Sequence, residues 1–111
     1  MKTVLVPVAT GFEEIEAVSL IDVLRRADIK VIVASVEGRE FVQGANGIVI
    51  KPDRNLEGIT SDDIDMILLP GGWGGTDILA VDIKVQNLLK EMDSKNKDIS
   101  AICAAPFALN S

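Results

Sequence analysis

The chain has no histidine and a single cysteine, Cys103. With one thiol and no imidazole, the sequence lacks the Cys and His ligand sets on which transition-metal sites are built. One cysteine also rules out an internal disulfide, which suits a reducing cytoplasm or an intermolecular role. We therefore expect a cytoplasmic protein whose chemistry uses no metal and no organic cofactor.

Long hydrophobic runs and an excess of positive charge are lacking too. No stretch approaches the ~20 apolar residues of a transmembrane helix, and the apolar run after Lys2 ends at Gly11 without the core and cleavage site of a signal peptide. Lys and Arg number 11 against 17 Asp and Glu, and the acidic residues are spread along the chain. The net charge of -6 argues against nucleic acid and against an anionic membrane as partners.

The overall composition is typical of a globular domain, with 48% hydrophobic and 25% charged residues over residues 1–111. Short apolar runs alternate with segments of helical period, which is typical of β-α-β units. Strands are predicted at 3–8, 29–36, 65–69 and 99–102, helices up to about residue 27 and around 83–92, and a hairpin at 41–50. The pattern predicts one α/β domain with a doubly wound, mostly parallel sheet and helices on both faces.

The first helix is expected to begin with a capping box of Thr10 and Glu13, in which the threonine hydroxyl caps the helix and the glutamate reaches back. Its apolar stripe is wider than one sheet face needs. Part of the helix is therefore expected to pack against another subunit or a missing segment. The stripe consists of Ile15, Ala17, Val18, Leu20, Ile21, Val23 and Leu24.

Three glutamates follow one another at the start of this helix. Glu13 and Glu14 are interpreted as helix-start electrostatics, because the helix dipole favours carboxylates there. Glu16 lies beyond the capping box and is expected to point toward the strand ends, where its carboxyl group could share a proton with a thiolate or hold it by a hydrogen bond. The acidic residues at 62, 63 and 65 are interpreted as caps of a solvated loop, since their spacing is not that of an EF-hand.

Cys103 ends the apolar run Ile99-Ser100-Ala101-Ile102 and precedes small residues and Pro106. A thiol at the carboxyl end of a strand and the start of a helix is exposed to N–H groups and to the helix dipole, both of which stabilise a thiolate. This placement predicts a nucleophile. The alternative is a small core side chain, which is the usual role of a lone intracellular cysteine.

Glycines crowd the segment that follows the strand at 65–69, at positions 71, 72, 74 and 75. Glycines directly after a strand allow close backbone approach and expose N–H donors, as an oxyanion hole requires. The alternative is a tight turn without a chemical role. A phosphate loop is disfavoured, because neither the P-loop pattern nor the dinucleotide-binding spacing is present. In open α/β sheets these segments converge at the carboxyl ends of the strands, so Glu16, Gly71 and Cys103 are expected to form one site.

Five segments together resemble the ThiJ/PfpI superfamily, and within it the branch of the parkinsonism-associated protein deglycase and the bacterial ThiJ proteins. They are Gly11-Phe12-Glu13-Glu14-Ile15-Glu16, Leu24-Arg25-Arg26-Ala27, Val42-Gln43-Gly44, Leu69-Pro70-Gly71-Gly72 and Ala101-Ile102-Cys103-Ala104-Ala105-Pro106. The resemblance implies a flavodoxin-like fold, a homodimer, Cys103 as nucleophile, Glu16 as its acid/base partner, and oxyanion donors at Gly71, Gly72 and Ala104. It also implies a glyoxalase or deglycase that acts on small α-oxoaldehydes or on glycated proteins.

Members of this family are longer and commonly place a histidine near the cysteine, whereas this chain has none and ends at Ser111. It resembles the amino-terminal part of the family domain. The chain is then either one piece of a nicked or split protein or a truncated form, and in both cases residues outside it supply a general base. Of the two, we expect a second polypeptide, beginning close after Ser111, to complete the domain.

Two other functions stay open at this point. One is a redox-sensing chaperone without enzymatic activity, in which oxidation of Cys103 to sulfinic acid alters partner binding. The other is a class I glutamine amidotransferase, which uses a similar strand-Cys-helix turn. Its Gly-x-Cys-x-Gly pattern is replaced here by Ala101 and Ala105, so it ranks third.

Overall fold

The computed structural model describes residues 2–101, apart from the side chains of Trp73, Thr76, Ser100 and Ala101. Its strands are β1 (Thr3–Val8), β2 (Lys30–Ser35), β3 (Val42–Gln43), β4 (Val49–Ile50), β5 (Arg54–Asn55), β6 (Met66–Leu69) and β7 (Asp98–Ala101). Its helices are α1 (Glu14–Arg26), α2 (Trp73–Val81) and α3 (Ile83–Ser94), with short 3-10 turns at Leu56–Gly58 and Ser61–Asp63.

Within this described range, five strands form a parallel sheet in the order β5-β2-β1-β6-β7. Side chains alternate between the two faces of a strand, so β1 contributes to two cores. Val4, Val6 and Val8 pack in one cluster with Ala17 and Ile21 of α1. Leu5 belongs to the other cluster, on the opposite face, with residues of α2 and α3. The predicted flavodoxin-like, doubly wound α/β fold is confirmed.

Helix α1 does not begin with the predicted capping box. The N-cap is Glu13, whose Oε1 accepts a hydrogen bond from the Ile15 amide at 3.4 Å. The Thr10 amide, which the Glu13 side chain was expected to accept from, donates to Glu37 Oε1 at 2.8 Å instead, and the Thr10 hydroxyl donates to the same oxygen at 2.8 Å. The capping-box prediction was therefore wrong, although the predicted end of the helix agrees with the observed C-cap, Ala27.

The predicted hairpin is confirmed as the antiparallel pair β3 and β4, and Gly47 in its turn has a φ of 84°. The glycine segment, by contrast, is shorter as a loop than predicted, since α2 already begins at Trp73. Gly74 and Gly75 belong to this helix, where a Cβ would lie 3.3 Å from Gly11 Cα and 3.1 Å from Phe12 Cα respectively. Close packing against the β1–α1 connection thus accounts for these two glycines.

The last predicted strand corresponds to β7, and its final predicted residue, Ile102, lies outside the described residues together with Cys103 and Ala104. Of the helices in residues 2–101, none combines the length and the apolar character that crossing a membrane would require.

A candidate active site at the carboxyl ends of the strands

The order of the strands brings three chain segments to one edge of the sheet. Strands β1, β6 and β7 are neighbours and parallel, so their carboxyl ends lie side by side. The β1–α1 connection leads into Glu16, and the β6–α2 connection contains Gly71 and Gly72. Cys103 follows β7 by two positions in the sequence. This edge is where open α/β sheets carry their ligand sites.

Glu16 and Gly71 meet directly at this edge. The Gly71 amide donates to Glu16 Oε1 at 3.2 Å, and the Gly71 carbonyl accepts from the Glu13 amide at 2.9 Å. The side of α1 that carries Glu16 is therefore held against the β6–α2 connection by both polar groups of one residue. The predicted direction of Glu16, from the helix start toward the strand ends, agrees with this contact.

Gly72 allows the two connections to approach each other this closely. Its φ is +99°, and a Cβ on it would contact the Gly11 carbonyl oxygen, the Glu13 nitrogen and the Phe12 carbonyl carbon. A side chain at this position would be excluded both by the backbone conformation and by the neighbouring backbone. Glycine is needed here for packing and conformation, whether or not its N–H takes part in chemistry.

Glu14 has a role that the sequence reasoning missed. Its side chain is buried, and its carboxylate accepts three hydrogen bonds from the β3–β4 hairpin. Oε2 accepts from the amides of Asn46 at 2.7 Å and Ile48 at 3.1 Å, while Oε1 accepts from Asn46 Nδ2 at 3.0 Å. The sequence contains a signal for the burial of Glu14, because residues 14, 17 and 21 have the spacing of one helix face. Ala17 and Ile21, which share that face, are buried as well.

The carboxyl group of Glu14 is held ionised by these contacts. Burial alone would raise its pKa, but hydrogen bonds from its own backbone N–H, from Ile48 and from the backbone and side chain of Asn46 together lower the pKa from the ordinary value of 4.5. A buried carboxylate that accepts only from uncharged donors thus joins α1 to the hairpin.

The other acidic residues of interest have structural partners, and the predicted capping role is confirmed for Asp63. Thr60 and Asp63 form a capping box, and the hydrogen bonds from Thr60 lower the pKa of Asp63. Lys95 Nζ lies 2.6 Å from Asp62 Oδ1, and its hydrogen bond and positive charge lower the pKa of that carboxyl group. Asp65 accepts from the Thr3 amide at 2.8 Å. Among the residues that the structure describes, no group of three or more His, Cys, Asp or Glu side chains is arranged to hold a metal ion.

The family model described as the DJ-1/PfpI family matches residues 2–111. The chain belongs to this family. Protein dj-1beta of Drosophila melanogaster is 44% identical to it over 108 residues, which are 97% of this chain and 58% of that protein. The Parkinson disease protein 7 homolog of Danio rerio is 42% identical over 109 residues, again 97% of this chain and 58% of the relative.

Solved structures of DJ-1 proteins agree with the fold. The crystal structure of Drosophila melanogaster DJ-1beta gives a TM-score of 0.95 at 43% identity, covering 98% of this chain and 59% of that one. Toxoplasma gondii DJ-1, in a structure described as oxidized, gives a TM-score of 0.92 at 42% identity, covering 96% of this chain and 58% of that one. The chain therefore spans somewhat more than half the length of each of these relatives.

Proposed function

We propose that the protein containing this chain is a cysteine-dependent enzyme that acts on small α-oxoaldehydes or on their adducts with proteins. Cys103 is its nucleophile and Glu16 its general acid and base. The observation that carries the proposal is the contact of Glu16 with the Gly71 amide, at the carboxyl end of β6 and beside the strand that leads to Cys103. Family membership supports it further.

The first step of the proposed reaction is addition. The Cys103 thiolate forms a C–S bond with the aldehyde carbon, the carbonyl π pair moves to oxygen, and the resulting alkoxide takes the proton of the Glu16 carboxyl group to give a hemithioacetal. Backbone N–H groups of Gly72 and Ala104 are the proposed donors to this oxygen. The Gly71 N–H, which is engaged by Glu16 in the structure, is shared between that carboxylate and the substrate.

Glu16 performs the second step. It removes the proton from the former aldehyde carbon to give an enediolate, the proton of the hemithioacetal hydroxyl passes to the neighbouring oxygen, and Glu16 returns its proton to the neighbouring carbon. The first carbon is thereby oxidised to a thioester and the second is reduced to an alcohol. Water then cleaves the thioester to give a hydroxy acid and the free thiolate. Carbon oxidation and reduction balance within the substrate, and the route uses no added cofactor.

The proposal includes a homodimer and a domain completed by residues outside this chain. Its motivation is an apolar surface on α1 and the adjoining hairpin, formed by Ile15, Val18 and Ile48, whose exposed fractions run from 47% to 76%. Exposed aliphatic side chains that adjoin one another favour contact with another polypeptide. A reducing, cytoplasmic location, which keeps Cys103 free of disulfides, belongs to the same proposal.

The test supplies methylglyoxal to the protein, purified together with any polypeptide that copurifies, and follows lactate. Cys103→Ser and Glu16→Gln are each expected to lower turnover by about 10²-fold or more, because each removes a group that takes part in the reacting step. Asp22→Asn is the matched control, since Asp22 is an exposed carboxylate on the same helix, paired with Arg26 at 3.0 Å. Equal lactate from all four proteins, or none from the wild type, would contradict the enzymatic proposal.

A redox-sensing role is the second candidate, favoured by the oxidized state in which the Toxoplasma gondii relative was solved. In this case two molecules of hydrogen peroxide oxidise the Cys103 thiolate in succession, each delivering one oxygen atom and leaving as water, to give first a sulfenic and then a sulfinic acid. The oxidised protein binds a partner that the reduced protein does not. Peroxide that raises partner capture in a Cys103-dependent manner, in a protein without lactate formation, would favour this role over the enzyme.

A further inference from the structure

The residues between Gly11 and Glu16 connect the two surfaces that flank the proposed site. On one side the Gly11 amide donates to the Gln43 carbonyl at 2.9 Å, and the Phe12 carbonyl accepts from the Ala45 amide at 2.8 Å. On the other side Glu13 and Glu16 bond to Gly71 at 2.9 and 3.2 Å. This short segment is thus tied to the β3–β4 hairpin and to the β6–α2 connection at the same time.

Glu14 accepts more of these hydrogen bonds than any other residue of the segment. It accepts from two amides and one side-chain amide of the hairpin, and it does so from a buried position. A Cβ on Gly44 would overlap the Glu14 side chain, so the hairpin is shaped around this carboxylate. In the first turn of a helix, residues two apart lie on roughly opposite sides, so the anchoring of Glu14 to the hairpin fixes the rotation of the turn that presents Glu16.

We propose that Glu14 is a positioning residue for Glu16: by holding the first turn of α1 to the hairpin, it keeps the Glu16 carboxylate against the Gly71 amide. The expected effect of Glu14 on turnover rests on the proposed function. The expected effect on the hydrogen bond between Glu16 and the Gly71 amide does not, because that contact can be measured without any substrate. Glu14 does not touch the reacting atoms in this scheme.

Backbone amide hydrogen exchange supplies the readout that is independent of activity. Glu14→Ala is expected to accelerate exchange at Asn46 and Ile48, which lose their acceptor, and also at Gly71 by ~10-fold or more, since Glu16 leaves its amide. Exchange at the Leu5 amide in the central strand monitors global unfolding. Asp22→Asn is the control and is expected to leave the exchange rates at these four positions unchanged.

A reciprocal exchange of the two side chains tests the contact where Glu14→Ala fails to fold. Asn46→Asp places two carboxylates against each other and is expected to release the hairpin. In the pair Glu14→Gln with Asn46→Asp, the new amide donates to the new carboxylate while its oxygen still accepts from the Asn46 and Ile48 backbone positions. This pair is expected to restore slow exchange at Gly71.

Turnover of methylglyoxal completes the experiment. Loosening Glu16 is expected to lower kcat ~10- to 100-fold in Glu14→Ala and in Asn46→Asp with little change in KM, and the exchanged pair is expected to recover most of it. Normal Gly71 exchange and normal kcat in variants whose hairpin amides are unprotected would overturn the inference. If the wild type forms no lactate, the proposed function fails, while exchange at Gly71 still decides whether Glu14 positions Glu16.

Discussion

The Gly71 amide donates to Glu16 Oε1 at 3.2 Å while the Gly71 carbonyl accepts from the Glu13 amide at 2.9 Å. One glycine thus bonds to two residues of the first helix that are three positions apart. The carboxylate proposed to move protons is thereby fixed by backbone that belongs to a different strand-helix connection. A glutamate used as a general base benefits from such fixation, because a displaced base transfers protons slowly.

Glu16→Gln and Glu16→Ala are expected to separate chemistry from structure. Glutamine keeps an oxygen for the Gly71 amide, so its free energy of unfolding should stay within about 1 kcal/mol of the wild type, whereas alanine leaves that part-buried amide without its acceptor and should lose about 1–3 kcal/mol. Both variants should lose lactate formation. Urea denaturation measures the difference in free energy of unfolding between the two variants, and equal values would contradict the prediction.

Gly72→Ala is expected to destabilise the protein more than Gly38→Ala. Both glycines have positive φ, +99° and +73°, but a Cβ on Gly38 meets nothing within 4 Å whereas one on Gly72 meets backbone. The Gly38 variant reports conformational strain alone, about 1 kcal/mol. Thermal unfolding of the two variants should therefore show a clearly larger loss for Gly72, and equal losses would mean that the two connections can separate freely.

Replacing Asp53 is expected to lower the free energy of unfolding more than replacing Arg25, its ion-pair partner. Arg25 and Asp53 are both about half exposed and lie 2.9 Å apart, and the further hydrogen bond from Arg25 to the Val31 carbonyl is long at 3.3 Å, so Arg25→Ala should cost no more than about 1 kcal/mol. Asp53 Oδ2 also accepts from the amide of buried Val33 at 2.8 Å. Asp53→Ala should therefore cost about 1–3 kcal/mol, and denaturation that ranks the two variants in the opposite order would refute the argument.

Ile15→Ser is expected to weaken self-association. Ile15 is 76% exposed on the apolar surface shared by α1 and the hairpin. If that surface joins two copies, sedimentation equilibrium should find a smaller mass for the variant than for the wild type at the same concentration. Val81→Ser, at a residue 78% exposed on α2, is the matched control and should keep the wild-type mass. A wild type that is already monomeric would remove this proposal.

Acid is expected to release the hairpin through Glu14. Because the pKa of Glu14 is lowered in the folded state, its contribution to stability is fully present above its ordinary value of 4.5 and is lost as pH falls through the lower native pKa. Glu14→Gln removes this titration. The stability difference between wild type and variant, followed by urea denaturation, should therefore shrink as pH falls below 4.5, and a constant difference would contradict the assignment.

The boundaries of the longer strands and of α3 were largely predictable, because buried parallel strands such as β1 are short apolar runs and α3 has a clear helical period. Helix α2, by contrast, was not predicted. The direction of Glu16 also followed from its place in the first helix. The capping of α1 could not be predicted, since the Thr10 amide and hydroxyl donate to Glu37, a partner 27 positions away that no local pattern reveals. Side-chain competition of this kind is decided by tertiary structure.

Glu14 marks a second limit of sequence reasoning. A glutamate at a helix start is usually satisfied by the helix dipole, so burial was not expected. Its acceptor role depends on hairpin amides more than thirty residues away. The sequence predicts a loop at positions 74 and 75, because glycine is rare inside helices. Both glycines nevertheless lie in α2, where the backbone of Gly11 and Phe12 packs against them and leaves no room for a side chain.

The position of β1 in the middle of the sheet has a consequence for biosynthesis. Val4 pairs with Val31 on one side and with Met66 on the other, and both partners follow it in the chain. Strand β1 is therefore translated before the strands that it pairs with, and its apolar side chains stay uncovered until those strands are made. Such distant pairing slows folding and exposes the nascent chain to aggregation, so this strand is the segment that chaperones have most reason to bind.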